Sequence, residues 1–232
     1  WGPVKEPPSA MGDYKVADWV IGQLGKKHNK PFFLACGVYR PHLPWYVPQK
    51  YFDLFDEDDI VLPKVPNDDL KDIPSAGVKI AKPQGDHAKV TKHDQWKKAV
   101  HGYLASIAFA DEQVGRVLKA LRKSPQAKDT IVVLWTDHGW HLGEKQHWRK
   151  FTLWEEAART PLMFLVPDKV SKNFPKGTTA RTRIDVPVGL IDVYPTLIDL
   201  CGLRENKALE GRSLVPLLKT PKAKWDRPAL TT

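Results

Sequence analysis

Apolar side chains recur at positions 16, 17, 20, 21 and 24, and this three-and-four spacing predicts a helix over 13–28 with Asp13 as its N-cap. A longer stripe at 100, 103, 104, 107, 108, 114, 117, 118 and 121 predicts the longest helix, over 95–123, broken by Ser124-Pro125. Between these helices the period changes. Pro31-Phe32-Phe33-Leu34-Ala35-Cys36-Gly37-Val38 reads as a buried strand, and the β-branched run Thr130-Ile131-Val132-Val133-Leu134-Trp135 as a buried strand of a parallel or mixed sheet. Leu162-Met163-Phe164-Leu165-Val166-Pro167 is a third, shorter one. Residues 186–202 read as a helix closed by Gly202, with Pro195 in its first turn, and 210–218 as a short final element. The stretch 46–94, rich in Pro, Asp and Lys, reads as an irregular surface-lying insertion with short helices at most; 168–183 is polar and basic. Helices and strands alternate, which argues for an α/β fold.

Composition narrows this only a little. At 232 residues the chain is one large domain or two small ones, and 42% hydrophobic with 27% charged residues is ordinary for a globular protein. No run of eighteen apolar residues offers a membrane span. The opening Trp1-Gly2-Pro3-Val4-Lys5-Glu6-Pro7-Pro8 has neither a starting Met nor an apolar leader, so the chain reads as a fragment. The net charge of +9 suits nucleic acid, a membrane surface or an acidic polymer, but the Lys and Arg are dispersed, and a solvated surface explains them equally well. Cys36 in an apolar run and Cys201 in a helical one are expected as buried free thiols rather than a disulfide.

The chemistry is concentrated in Thr136-Asp137-His138-Gly139-Trp140-His141-Leu142-Gly143-Glu144-Lys145-Gln146-His147-Trp148-Arg149-Lys150. Directly after a strand, where open α/β sheets place ligands, stand three histidines, two carboxylates and three cations. Asp137 supplies carboxylate oxygen, which a hard divalent cation prefers, and a strand end would hold it rigidly. His42 sits in a loop stiffened by Pro41 and Pro44.

These segments resemble the type I, formylglycine-dependent sulfatases of the alkaline-phosphatase superfamily. The resemblance rests on Asp137-His138-Gly139 with Gly143-Glu144 and Lys150, and on Arg40-Pro41-His42-Leu43-Pro44 and Ala110-Asp111-Glu112-Gln113-Val114-Gly115. Arg159-Thr160-Pro161-Leu162, Ile191-Asp192-Val193-Tyr194-Pro195-Thr196-Leu197 and Leu209-Glu210-Gly211-Arg212-Ser213-Leu214 follow in the family's order. Asp-His-Gly at the strand end looks most like the iduronate-2-sulfatase-like enzymes. The resemblance implies an alkaline-phosphatase-like sandwich, with a mostly parallel or mixed central sheet flanked by helices and incomplete at both ends. Residues 1–232 would then be part of one large catalytic domain, without the N-terminal nucleophile segment and the small C-terminal domain. It implies Ca²⁺ held by Asp137 and His138, and a sulfate gripped by His42 and Lys150. His42 would also protonate the leaving alkoxide, and His141 would line the substrate pocket. The nucleophile, a formylglycine made from a Cys/Ser-x-Pro-x-Arg motif, would come from the missing N-terminal portion of the same enzyme, since no such motif occurs in these residues. The chain alone is therefore expected to be inactive. A sulfated carbohydrate, such as a sulfated uronate or glycosaminoglycan, is the implied substrate, with no nucleic-acid partner and a secreted, periplasmic or lysosomal-type location.

Two other functions fit the same residues. A phosphodiesterase or phosphonate monoester hydrolase of the superfamily would share the Asp-His-Gly strand end. A basic fragment that binds a polyanion without catalysis would show salt-sensitive binding and no metal dependence.

Overall fold

A computed structural model describes residues 1–171 and 182–231. In chain order the elements are β1 (Gly2–Val4), α1 (Gly12–Leu24), β2 (Tyr46–Pro48), α2 (Gln49–Phe52), α3 (Ser75–Ala81), α4 (Asp86–Lys92) and α5 (Trp96–Lys123). Then follow β3 (Val132–Trp135), β4 (His141–Leu142), β5 (Trp148–Arg149), α6 (Glu155–Ala158), β6 (Leu162–Leu165), α7 (Asp168–Ser171), α8 (Val193–Leu200) and α9 (Val215–Lys219). Most of the polar, basic segment 168–183 lies outside the described residues. The chain divides into two compact units, one of residues 1–127 and 140–152, the other of 128–139 and 153–232.

In the first unit α5 is the spine. The predicted length is correct, but the buried face is not the predicted stripe: Ala99, Val100, Gly102, Ala105, Ser106, Phe109 and Gln113 face inward, while Ile107 is exposed. Small residues on that face let other elements approach closely. Trp45 and Phe109 are fully buried, and two clusters form around them. Trp45 packs with Val90, Ala99, Trp140 and Trp148, whereas Val47, Tyr51, Phe52, Ala105 and Phe109 pack together farther along α5. Residues 46–94 carry only short helices, yet they contribute Val47, Tyr51, Phe52, Ala81 and Val90 to the interior.

α1 begins at Gly12, and its N-cap is Met11, not Asp13. Asp13 is buried in the first turn, where its carboxylate accepts the backbone N–H groups of Tyr39 and Arg40 at 2.9 and 3.0 Å. It thus anchors the loop carrying His42 rather than its own helix. The helix also stops at Leu24, short of the predicted end. The run Pro31–Val38 forms no strand among the described residues, and Phe33 is 80% exposed. A strand needs a neighbouring edge for its backbone groups, and apolarity alone does not supply one. Cys36 and Cys201 are free, as expected, but exposed rather than buried, because neither of their segments is covered as the pattern implied.

In the second unit β3 pairs antiparallel with β6, Val132 opposite Leu165 and Trp135 opposite Leu162. The strand predicted as buried is only half so: Leu134 and Trp135 are exposed, since β6 is its sole partner strand among the described residues. The helix predicted over 186–202 is regular only in α8, preceded by a 3₁₀ turn at Leu190–Asp192. Its buried Asp192 accepts the Gly189 and Arg212 backbone N–H groups at 3.0 and 2.8 Å, and Thr196 donates to the Asp192 carbonyl at 2.6 Å. Thr196 in turn accepts the Leu214 N–H at 2.8 Å, so buried polar groups that would be costly alone satisfy one another.

Candidate active site

His42 and Lys150, 108 positions apart in sequence, meet in the first unit, with the Lys150 Nζ 2.7 Å from the His42 Nε2. An ammonium can only donate, so Nε2 is the acceptor and the neutral ring carries its proton on Nδ1. That N–H donates to the Leu43 carbonyl at 2.7 Å. The Tyr39 hydroxyl, 2.9 Å from the same nitrogen, donates to the same carbonyl at 2.8 Å. The ring also stands edge-on to Trp140 with centroids 5.3 Å apart, and the Lys150 ammonium lies 5.3 Å from the Trp140 centroid. Trp45, whose Nε1 donates to the Pro41 carbonyl at 2.7 Å, fixes the loop from beneath.

The three cations of the motif are sorted by their partners. Lys145 is bound by Asp69, whose carboxylate accepts both its Nζ at 2.7 Å and its backbone N–H at 3.0 Å. Arg149 is bound by Asp86 at 2.7 Å. Lys150 makes no ion pair with a carboxylate among the described residues and faces a neutral imidazole and two aromatic rings. A cation already neutralised by a carboxylate attracts an anion weakly, so Lys150 alone of the three keeps its full charge for a ligand.

His141 is fully buried, with Nε2 2.7 Å from the Thr152 hydroxyl and Nδ1 3.2 Å from the Glu144 carbonyl. Both nitrogens are turned to the protein, which makes it scaffold rather than the pocket-lining residue expected from the sequence. The turn at Gly143 has φ +128, and a Cβ there would overlap the Trp96 ring, so the residue must be glycine. Trp96 donates through Nε1 to the Leu142 carbonyl at 2.6 Å and locks that turn to α5.

In the second unit Asp137 lies two residues beyond the end of β3. Its side chain is 80% exposed, with one oxygen 3.5 Å from the His138 Nε2 and the other 3.4 Å from the Thr136 hydroxyl. His138 Nδ1 lies 2.8 Å from the Gly139 carbonyl. A carbonyl can only accept, so the Nδ1–H donates to it, and Nε2 is the ring nitrogen that faces the Asp137 carboxylate. Gly139 donates its N–H to the Ala157 carbonyl at 2.8 Å, and a Cβ on Gly139 would overlap the Glu156 carbonyl. The acid and the imidazole are thus held at a strand end by a turn that only glycine permits. Among the described residues no group of three or more His, Cys, Asp or Glu side chains could hold a metal, and Asp137 and His138 stand as a pair.

Neither cysteine has the setting of a nucleophile. Partial shielding of the Cys36 thiol, together with the negative charge of Asp13, pushes its pKa up from 9.0. Sequence reading missed Tyr39, Thr152, Asp69 and Asp86. Asp69 and Asp86 act across 76 and 63 positions, a separation at which local patterns carry no signal.

An α/β chain with an acid–imidazole pair just past a strand end, and a lysine set against a histidine on a proline-stiffened loop, has the features of the alkaline-phosphatase-like hydrolases. The sulfatase family model matches residues 2–203, and the chain belongs to the sulfatase family. It is 43% identical to a sulfatase of Formosa agariphila over the whole of this chain and 44% of that protein. It is 31% identical to the iduronate 2-sulfatase of Mus musculus, over 85% of this chain and 41% of that protein. Among solved structures, a phosphonate monoester hydrolase from Silicibacter pomeroyi superposes with a TM-score of 0.80 at 25% identity, covering 97% of this chain and 44% of that one. The chain spans less than half the length of these relatives. No helix among the described residues is long and apolar enough to cross a membrane.

Proposed function

We propose that the protein to which these residues belong hydrolyses a sulfate ester on a sugar, with a sulfated uronate or a related glycosaminoglycan-type unit as substrate. The observation that carries this reading is the 2.7 Å contact between Lys150 Nζ and His42 Nε2, supported by the lack of a carboxylate partner for Lys150 among the described residues. A sulfate ester carries one negative charge spread over its terminal oxygens, and its alkyl oxygen gains charge as the S–O bond breaks. Lys150 supplies a point charge to the sulfate oxygens. His42, fixed in orientation by the Leu43 carbonyl and the Tyr39 hydroxyl, binds the sulfate. When protonated, it delivers the Nε2 proton to the departing alkoxide.

Asp137 and His138 fit a hard divalent cation, Ca²⁺ in this reading, with the carboxylate as an oxygen ligand. His138 offers Nε2 because Nδ1–H is committed to the Gly139 carbonyl. Such an ion takes six to eight oxygens as a rule, so further ligands come from outside this pair. Bound there, such a cation would neutralise negative charge on an anionic group. A formylglycine made from a Cys/Ser-x-Pro-x-Arg motif outside these residues would supply the attacking oxygen.

Residues 1–232 are on this reading part of one large catalytic domain. The test is sulfate release by the full-length protein from sulfated uronate oligosaccharides, with and without a chelator. Chelator-sensitive release is expected, and no release from any sulfate ester would overturn the reading. The likeness to a phosphonate monoester hydrolase supports a second reading, in which a phosphonate or phosphate ester is the substrate. The ratio of kcat/KM for matched 4-nitrophenyl sulfate and phenylphosphonate esters separates the two.

A further inference from the structure

His147 has no part in the roles above, yet its ring joins two segments that are 66 and 3 positions away in sequence. It is buried, with Nδ1 2.8 Å from the Ala81 carbonyl at the end of α3, and Nε2 2.8 Å from the Lys150 carbonyl. Its ring also stands edge-on against buried His141, with centroids 5.0 Å apart. The backbone it touches is unusual. Arg149 and Phe151, on either side of Lys150, have φ of 76° and 71°, in the region that side-chain-bearing residues avoid. Such a residue persists only where the surroundings impose it.

What imposes it here can be named. Arg149 is held by pairing with His141 across β4 and β5 and by Asp86. Lys150 itself is held at its carbonyl by His147 and at its ammonium by His42. Phe151 is 80% exposed, and its ring faces the Lys150 ammonium at 5.5 Å without being packed into the interior. The His147–carbonyl contact is therefore the tie that sets the Lys150 backbone against the rest of the first unit.

We propose that His147 is a positioning residue for Lys150: by holding the Lys150 carbonyl through Nε2 it fixes the backbone from which the ammonium reaches His42. This rests on the sulfate-binding role proposed for Lys150. A buried histidine between two carbonyls would otherwise be read as mere packing, and the two nitrogens allow the two roles to be separated.

In the full-length protein, His147→Gln keeps an N–H donor near the place of Nε2, facing Lys150. His147→Asn keeps one near the place of Nδ1, facing Ala81. Two readouts are taken: kcat/KM for 4-nitrophenyl sulfate, and the rate at which acetic anhydride modifies Lys150 relative to Lys98, by mass spectrometry. The expected result is that H147N acetylates several-fold faster at Lys150 and loses roughly 10- to 100-fold in kcat/KM, the scale of loss from a misplaced binding group. H147Q should stay close to wild type in both. Unchanged Lys150 labelling in folded H147N, or a larger effect in H147Q than in H147N, would overturn the proposal. If H147N does not fold, H147Q decides alone, since loss of the Ala81 tie must then leave Lys150 labelling unchanged. Should the wild type release no sulfate, the sulfatase reading fails, while the labelling rates still decide whether His147 positions Lys150.

Discussion

Lys150 donates to His42 Nε2 at 2.7 Å, and His42 donates its one N–H, on Nδ1, to the Leu43 carbonyl at 2.7 Å, so charge, ring orientation and tautomer are set together. Two groups arranged in this way act as a unit. Lys150→Ala in the full-length enzyme should lower kcat/KM for a sulfate ester by about 10²–10³-fold, the usual cost of removing one preorganised electrostatic group. His42→Ala should cost about 10²–10⁴-fold. The double variant should lose much less than the product of the two, because each single change already disables the other partner. Lys150→Arg should not restore activity, since a planar guanidinium cannot occupy the ammonium's place between His42 and Trp140. Steady-state kinetics on the four proteins settle this, and strict multiplicativity would contradict the coupling.

The metal reading is checked by stability rather than turnover. Ca²⁺ at about 100 times its Kd should stabilise the folded protein by about 2.7 kcal/mol, visible as a rise in melting temperature that EGTA reverses. Asp137→Ala should abolish the shift. His138→Ala should weaken Ca²⁺ affinity by roughly 10- to 100-fold, the scale seen when an orienting or ligating imidazole is lost. An unaltered calcium response in Asp137→Ala would remove that residue from the ligand set.

Local periodicity found α5 almost to the residue, as well as the sites of β3, β6 and α8. It placed Asp137, His138, His42 and Lys150 in their loops and strand ends. It failed where the deciding partner lies far off in sequence. Asp13 looked like a cap because helix caps are local, but its carboxylate serves Tyr39 and Arg40 in another loop. The buried face of α5 departed from the apolar stripe because Gly102, Ala105 and Ser106 are chosen for close approach of neighbouring elements, not for hydrophobicity. The four tryptophans and tyrosines around Trp45, namely Trp96, Tyr103, Trp140 and Trp148, come from α5 and from residues 140–148, so no local pattern announced their convergence on it.

Gly139 gives a steric prediction. A methyl group there would collide with the Glu156 carbonyl, which belongs to backbone and cannot swing away. Gly139→Ala should destabilise the fold by about 1–3 kcal/mol, the usual cost of overpacking, and weaken Ca²⁺ binding by disturbing the turn that follows Asp137 and His138. Gly115→Ala is the control. It lies within α5 with nothing near the would-be methyl, so the change should stabilise by about 0.5–1 kcal/mol. Urea unfolding of both variants tests the pair, and equal effects of the same sign would show that the contact at Gly139 is not limiting.

Fold stability should also depend on pH through His87. This ring accepts the Trp148 Nε1–H at 3.3 Å and stands edge-on to Trp96 at 5.1 Å, and burial lowers its pKa below 6.5. The folded state therefore favours the neutral ring. As pH falls through 6.5 the unfolded chain takes up a proton first, so this contribution to stability is complete above 6.5 and is lost progressively below it, until the folded ring protonates as well. His87→Gln keeps an acceptor for the Trp148 indole without a titrating group. Its unfolding free energy, measured in urea between about pH 7.5 and 5, should fall less steeply than that of the wild type. Identical slopes would assign the acid sensitivity to other groups.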